Sequence, residues 1–371
     1  MNTRTIARFL FSFGCLLGLA KADSPLLPGI RIAIVGNTFA DQLRSHGYLE
    51  TLLLQHWREE PVSIRNLGWA GDMLSARDRP TNFPTEESTL RDHQTDVIIA
   101  CFGMGESFEG EAGIENFKSD LKAFIASHRG KQYNGESEVR LILVSPIAYE
   151  NLGELTPKLV ERNRDLQLYT ESMRSVAAAK NVPFVDLYGP TSTMMSEPDA
   201  IPLTTNGIHL SEYGYWVVSR ALYEGFFENE SVPSGRPWWL TIDAKTQKGD
   251  GIGLSLSDLS SNRRELSFRV TEETSPSLPP PTQRELPASL NSRRDTVVVK
   301  NLQPGKYVLM VDGERVASAS QNEWAKGVAV DSSPAHRDGE IFRQAVNDKN
   351  LQFTYSWKAL NQVHIVGERR N

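Results

Sequence analysis

From residue 30 onward, short β-branched runs alternate with longer amphipathic stretches, and this alternation constrains the fold more than any other feature of the chain. Strands that alternate with helices predict βαβ units and a buried parallel sheet. The predicted strands cover residues 31–35, 62–66, 96–100, 140–145 and 183–187, and the predicted helices cover residues 41–57, 113–128, 157–180 and 211–227. Ligands of such α/β sheets bind beyond the carboxyl ends of the strands. Four loops begin there, at Gly36, Leu67, Phe102 and Pro146.

The length and charge of the chain bound its class. At 371 residues, it exceeds the usual size of a single domain, so one large domain with a smaller one is expected. The net charge is −6, and the lysines and arginines are scattered along the sequence. This distribution gives no electrostatic reason to expect binding to nucleic acid or to an anionic membrane.

The first 22 residues have the pattern of a secretory signal peptide. Arg4 and Arg8 precede an apolar stretch over residues 9–20, and Ala20-Lys21-Ala22 is typical of a cleavage site. We therefore expect export, with cleavage near Ala22. The alternative is an uncleaved anchor, but the apolar stretch is shorter than the roughly 20 residues that a membrane span needs. No transmembrane span is expected in the mature chain.

Removal of the leader leaves Cys101 as the one cysteine of the mature chain. The mature chain therefore cannot form an internal disulfide, and it has no cysteine cluster for zinc. We expect neither a metal nor a cofactor.

The composition changes after residue 230, which divides the chain into predicted parts. Residues 23–230 carry the α/β pattern, and residues 231–333 carry short alternating strands with a proline-rich crossing, typical of a small β-rich, sandwich-like module. Residues 334–371 predict one more helix and then two short extended pieces within 353–357 and 363–368.

Two of the loops carry groups suited to acyl chemistry. "GNTFAD" follows the first strand and brings Thr38 to the carboxyl edge of the sheet, where a base could activate its hydroxyl. Alternatively, Asn37 and Thr38 only cap the following helix. "NLGWAGDML" follows the second strand, and Gly71 could offer its N–H to an oxyanion, or could be needed only for a positive φ.

"CFGMGESF" follows the third strand and has part of a dinucleotide-binding pattern. Phe108 stands where the last glycine would be, and the motif is not on the first strand, so nucleotide binding is not expected. In "TTNGIHLSEYGYW", His209 comes just before an amphipathic helix, where it could act as a base or could be a structural histidine.

These blocks, in this order and spacing, resemble the SGNH (GDSL) hydrolases over residues 30–227. The resemblance implies a flavodoxin-like α/β sheet and hydrolysis of carboxylic esters, often acetyl groups on sugars. It implies that Thr38 occupies the serine position, Gly71 an oxyanion position and His209 the position of the base. Gly105 stands where the family has asparagine, and Asn206 stands where it has aspartate.

These substitutions weaken the chemistry that the family performs. An asparagine beside the histidine can favour the wrong tautomer and costs about 10⁴ in rate in the best-known serine triad. Loss of one oxyanion donor costs about 10²–10³. Three compensations are open, namely a carboxylate from Glu106 or Asp186, a donor or nucleophile from Ser107, and completion of the site by Trp357, Lys358 or Asn361.

Two functions are therefore expected for this chain. The first is an exported ester hydrolase that acts on acylated carbohydrate. Its site comprises Thr38, His209 and Asn206, lined by Gly71, Gly105, Asn37, Glu106 and Ser107. The second is a catalytically impaired protein that binds a glycan or a partner in the same cleft. Its candidate contacts are Trp238, Trp239 and Trp357, provided that these side chains are exposed.

Overall fold

The computed structural model describes residues 24–227, 237–262, 265–291 and 293–359. The predicted signal peptide, Asn361 and the predicted extended piece at 363–368 lie outside these residues. Within the described ranges, no helix is both long and apolar enough to span a membrane.

A five-stranded parallel sheet forms the centre of the first part of the chain. Its strands are β1 (Arg31–Gly36), β2 (Ser63–Asn66), β3 (Val97–Cys101), β4 (Arg140–Val144) and β5 (Phe184–Val185). They lie in the order β2-β1-β3-β4-β5, which confirms the predicted flavodoxin-like sheet. The strand order changes direction between β1 and β3, and ligands of such sheets bind beyond the carboxyl ends at that point. The loops after β1 and β3 are therefore next to the expected crevice.

Seven α-helices accompany the sheet in the described part of residues 24–227. They are α1 (Thr38–Gln42), α2 (Tyr48–His56), α3 (Glu86–Asp92), α4 (Ile114–His128), α5 (Leu159–Lys180), α6 (Tyr188–Met195) and α7 (Glu212–Phe226). Two 3₁₀ helices cover Glu106–Gly113 and Gly153–Leu155. The Ser211 side chain accepts a hydrogen bond from the Gly214 N–H, so it caps α7, as the sequence predicted.

The helix predicted over residues 41–57 was wrong as one element, because the chain breaks it into α1 and α2. His46 and Gly47 both adopt positive φ angles, of 64° and 67°, which end one helix and start the next. A Cβ at Gly47 would lie 2.9 Å from the Arg343 carbonyl oxygen. The break therefore lets the chain pass close to the backbone of Arg343, which lies nearly 300 residues further along the sequence.

The two faces of the sheet bury separate apolar layers. Along β1, Ile32 and Ile34 point into the layer that contains α1, α2 and α7. Ala33 and Val35 point into the opposite layer with α3, α4 and α5. All four side chains are almost fully buried, as expected for a parallel strand that is covered on both faces.

A β-rich region with several sheets follows. Its strands are β6 (Trp239–Asp243), β7 (Lys248–Ile252), β8 (Leu254–Ser261), β9 (Leu266–Glu272), β10 (Thr296–Lys300), β11 (Lys306–Val311), β12 (Glu314–Ser320) and β13 (Val328–Ala329). Its helices are α8 (Ala288–Asn291) and α9 (Gln321–Lys326). One sheet has the order β13-β10-β6-β7, and β8–β9 and β11–β12 form two hairpins. These sheets confirm the predicted β-rich character of this region.

The last described element is the helix α10 (Pro334–Lys358), which corrects the prediction that 353–357 is extended. Ser333 caps this helix, and its final turn stays helical because Trp357 is buried against Trp69, with ring centres 5.7 Å apart. Since Trp69 lies in the loop after β2, α10 ends at the carboxyl edge of the parallel sheet.

Candidate active site

The turn after β1 presents Thr38. Gly36 has a φ of 134°, and a Cβ there would lie 2.1 Å from the Cys101 carbonyl oxygen, so only glycine fits this approach of β1 to β3. The Asn37 N–H donates to the same oxygen at 3.1 Å. The Asn37 side chain accepts from the Phe39 N–H at 3.0 Å and caps α1. The capping interpretation therefore holds for Asn37, and Thr38 is the first residue of the helix.

The loop after β2 brings Gly71 to Thr38. The Gly71 N–H donates to the Thr38 Oγ1 at 3.1 Å. Gly71 has a φ of 86°, and a Cβ there would have no atom within 4 Å. Gly71 therefore needs a positive φ, and its N–H points at the Thr38 hydroxyl.

Glu106 joins the loops after β2 and β3. Its carboxylate accepts from the Leu74 N–H at 3.0 Å and from the Gly103 N–H at 2.8 Å. Burial raises the pKa of the Glu106 carboxyl above its ordinary value, although these N–H donors and Arg77 oppose that shift. The side chain therefore acts as a link between two loops of the site.

Met73 lies against the position at which a side chain of residue 105 would begin. Gly105 has helical φ and ψ angles, and a Cβ built there would lie 3.1 Å from the Met73 Cγ and 3.3 Å from its Sδ. The asparagine that the resemblance implies at this position would therefore meet the Met73 thioether. Sequence reasoning missed Met73, and no sequence signal identifies it, because the contact joins residues from two irregular loops.

The Ser107 hydroxyl is already occupied. It donates to the Met104 carbonyl oxygen at 2.8 Å and accepts from the Arg162 guanidinium at 2.8 Å, and the residue is fully buried. These contacts do not support an attacking oxygen at this position. The neighbouring Phe108 is 66% exposed, and the Arg162 guanidinium carbon lies 3.8 Å from the centre of its ring.

Asn206 and His209 form a hydrogen-bonded pair in the loop that precedes α7. The Asn206 Nδ2 lies 2.9 Å from the His209 Nδ1. The Asn206 Oδ1 accepts from the His209 N–H at 3.0 Å and from the Ile208 N–H at 3.4 Å. The local turn of the chain therefore holds the amide against the imidazole, which is partly exposed to solvent.

A buried carboxylate holds this loop in place. Glu150 lies in the loop after β4, and its two oxygens accept from the Leu203 N–H at 2.8 Å and from the Thr204 N–H at 2.7 Å. The Thr204 hydroxyl donates to the same carboxylate, and the Glu150 N–H donates to the Gly207 carbonyl oxygen at 3.0 Å. Sequence reasoning missed Glu150. The only available signal was its position in a loop after a strand.

Asp186 and Lys358, which were also predicted to compensate for the substitutions, each form an ion pair with a residue of a helix. Asp186 accepts from Arg174 at 2.7 Å and from the Gly189 N–H at 3.1 Å. Lys358 pairs with Asp41 of α1 at 2.8 Å, and its Nζ lies 4.7 Å from the centre of the Trp69 ring. The end of α10 therefore contacts both the helix that begins with Thr38 and the loop that contains Gly71.

The three candidate tryptophans differ in exposure. Trp238 and Trp357 are buried, so they belong to the apolar cores, whereas Trp239 is 38% exposed. Among the residues that the structure describes, no three His, Cys, Asp or Glu side chains come together as metal ligands would.

Comparisons with known proteins agree with this architecture. Residues 34–217 match the sequence model of the GDSL-like lipase/acylhydrolase family. A gut microbial diltiazem-metabolizing enzyme of solved structure superposes with a TM-score of 0.67 at 16% identity, over 94% of this chain and 84% of that one. At this identity the likeness shows the fold.

Two smaller proteins superpose with lower scores. The acetylxylan esterase Axe2 from Geobacillus stearothermophilus gives a TM-score of 0.42 at 16% identity, over 54% of this chain and 94% of that one. LAE5, an alpha/beta hydrolase from the metagenome of Lake Arreo, Spain, gives a TM-score of 0.43 at 16% identity, over 56% of this chain and 100% of that one. No protein with a curated description matches the sequence. On the family match and the order of its strands, the α/β part of this chain belongs to the GDSL-like lipase/acylhydrolase family.

Proposed function

We propose that this protein is an exported ester hydrolase that removes acyl groups, above all acetyl groups, from carbohydrate. The observation that carries the proposal is the 3.1 Å contact between the Gly71 N–H and the Thr38 Oγ1. An attacking hydroxyl needs a donor within hydrogen-bond distance of the carbonyl oxygen that becomes negative. The membership of the GDSL-like family supports an acyl hydrolase.

In the proposed reaction, the Thr38 Oγ1 attacks the ester carbonyl carbon, and His209 takes the hydroxyl proton. The N–H groups of Gly71 and Gly105 stabilise the oxyanion. The tetrahedral intermediate then expels the sugar hydroxyl, which takes the proton from His209, and leaves an acyl group on Thr38. Water, activated by His209, releases the acid and restores Thr38. Asn206 orients the imidazole, and Asn37, Glu106 and Ser107 hold the surrounding loops.

The substitutions in the site predict a slow enzyme. The Asn206 amide cannot stabilise an imidazolium as a carboxylate does, a loss of about 10⁴ in a serine triad. Gly105 lacks the side-chain amide of the family, a loss of about 10²–10³. Because effects within one catalytic unit are not additive, we expect the deficit to be smaller than the product of these factors.

Phe108 supports a carbohydrate substrate. Its ring lies three residues after Gly105, and the Phe108 N–H donates to the Gly105 carbonyl oxygen at 3.2 Å. One face of the ring rests on Arg162, while the residue stays 66% exposed. An aromatic ring that stays exposed offers a large apolar contact area to a ligand. We propose that a sugar ring stacks on it.

The alternative function is binding of a glycan in the same cleft without hydrolysis. The observation that favours it is the pairing of His209 with an amide rather than a carboxylate. A hydrolase releases the acid from an ester, whereas a protein that only binds the ester releases none.

The test is release of acetate from acetylated glycans, and of the chromophore from a chromogenic acetyl ester, by the purified mature protein. We expect slow turnover that is lost in Thr38→Ala and in His209→Ala. Phe108→Ala should raise KM for the glycan more than KM for the small ester. Equal release by the wild type and the two alanine variants would contradict hydrolysis and favour the binding function.

A further inference from the structure

The backbone fixes which way the Asn206 amide points. Its Oδ1 accepts from the backbone N–H groups of His209, at 3.0 Å, and Ile208, at 3.4 Å. Only the oxygen of an amide can accept a hydrogen bond, because its nitrogen carries two hydrogens and donates. A flipped amide would point its N–H groups at two N–H donors. The amino group Nδ2 therefore faces the His209 ring, 2.9 Å from the Nδ1.

This orientation sets the position of the proton on the imidazole. A neutral imidazole carries one N–H, and its other nitrogen is an acceptor. Because the Asn206 Nδ2 donates, the His209 Nδ1 has to accept, and the proton is on Nε2. An aspartate in the same place would accept at both of its oxygens, so it would hold the proton on Nδ1 and leave Nε2 free as a base.

We infer that Asn206 is a positioning residue that holds His209 in the Nε2–H tautomer, so that the resting imidazole presents a proton to the cleft instead of a lone pair. Within the described residues, the Nε2 has no hydrogen-bond partner, and the ring is partly exposed. This nitrogen is therefore free to donate to a bound ligand.

The consequence of this tautomer for catalysis rests on the proposed function. Thr38 can give up its proton only to an unprotonated nitrogen, so His209 first has to lose the proton at Nε2 and gain one at Nδ1 through solvent. That exchange breaks the hydrogen bond to Asn206. One hydrogen bond biases the two tautomers by about tenfold. The resting His209 Nε2–H is therefore a donor for an acyl oxygen and not a base for Thr38.

The direct test is nitrogen NMR of the His209 ring in the full mature chain. The spectra are recorded at mildly alkaline pH, and the same pH is used for the wild type and the variants. His209→Gln identifies the signals. We expect Nε2 to resonate as a protonated nitrogen and Nδ1 as an unprotonated one, and we expect Asn206→Asp to exchange the two. A proton on Nδ1 in the wild type, or no exchange in the variant, would overturn the inference.

Hydrolysis rates of the same proteins then separate this inference from the proposed function. If Thr38 chemistry operates, Asn206→Asp raises kcat by up to about 10⁴-fold with little change in KM. The gain should vanish in the Thr38→Ala/Asn206→Asp double variant. Tautomer exchange without hydrolysis in any variant would support the inference and contradict the hydrolase. A rate gain without tautomer exchange would contradict the inference and support the hydrolase.

Discussion

The two halves of the candidate site, one with Thr38 and one with His209, are each fixed by a different kind of contact. The half with Thr38 depends on backbone contacts at glycines, such as the approach of Gly36 to the Cys101 carbonyl group. The half with His209 lies in a loop without regular strands, and one buried carboxylate, Glu150, binds its backbone. A side chain added at a glycine should therefore destabilise the half with Thr38. Loss of the Glu150 acceptor should destabilise the half with His209.

The largest expected effect is on the first half. Gly36→Ala places a methyl group 2.1 Å from the Cys101 carbonyl oxygen at a φ of 134°. We expect the free energy of unfolding to fall by about 4 kcal/mol or more, because the contact is with backbone that cannot move away. Denaturant unfolding followed by circular dichroism measures it.

Gly71→Ala is the matched control for that variant. Its φ is also positive, at 86°, but a Cβ there meets no atom within 4 Å. The cost should therefore be only the conformational part, about 1–2 kcal/mol. A similar loss of unfolding free energy in the two variants would contradict the claim that close packing at Gly36 fixes the Thr38 half of the site.

A smaller effect is expected where Met73 meets Gly105. Gly105→Asn alone should add little activity, since the Met73 Cγ lies 3.1 Å from the new Cβ. Gly105→Asn with Met73→Ala makes room for the amide and should raise kcat by up to about 10²–10³, the value of one oxyanion donor. Ester hydrolysis by both single variants and the double variant measures this. An equal gain in Gly105→Asn alone would mean that Met73 does not restrict the position.

The His209 half is tested through Glu150. Glu150→Gln keeps the shape but turns one acceptor into a donor that faces the backbone N–H of Leu203 or Thr204. We expect a loss of about 2–3 kcal/mol in unfolding free energy, because a buried donor loses a charged acceptor. Hydrolysis should fall together with stability. Glu154→Gln is the control, since that side chain is exposed, and an equal loss there would contradict a specific role for Glu150.

The sequence predicted the strands of the parallel sheet, because most of them are apolar, β-branched runs, and it predicted the start of α7 from Ser211. It did not predict the break before α2, since that depends on a contact with Arg343. The helical end of α10 was also missed, because residues 353–357 are mostly aromatic or β-branched. They nevertheless form the last turns of a helix, in which Trp357 packs against Trp69.

The same limit applies to the candidate site. The position of Thr38 after a strand is readable from local sequence, and its contact with Gly71 follows from the shared edge of the sheet. Glu150 and Met73 are different, because each contacts a loop distant in sequence whose path has no periodic pattern. Contacts between irregular loops depend on tertiary packing, which residue spacing does not encode.

The nucleophile is identified most directly by the residue to which an ester-like phosphonate inhibitor attaches covalently. We predict that tandem mass spectrometry of the labelled mature protein finds the adduct on the Thr38 hydroxyl, with faster labelling in Asn206→Asp and none in His209→Ala. An adduct on Ser107, or labelling that is unaffected by the loss of His209, would contradict the assignment of Thr38 as the nucleophile.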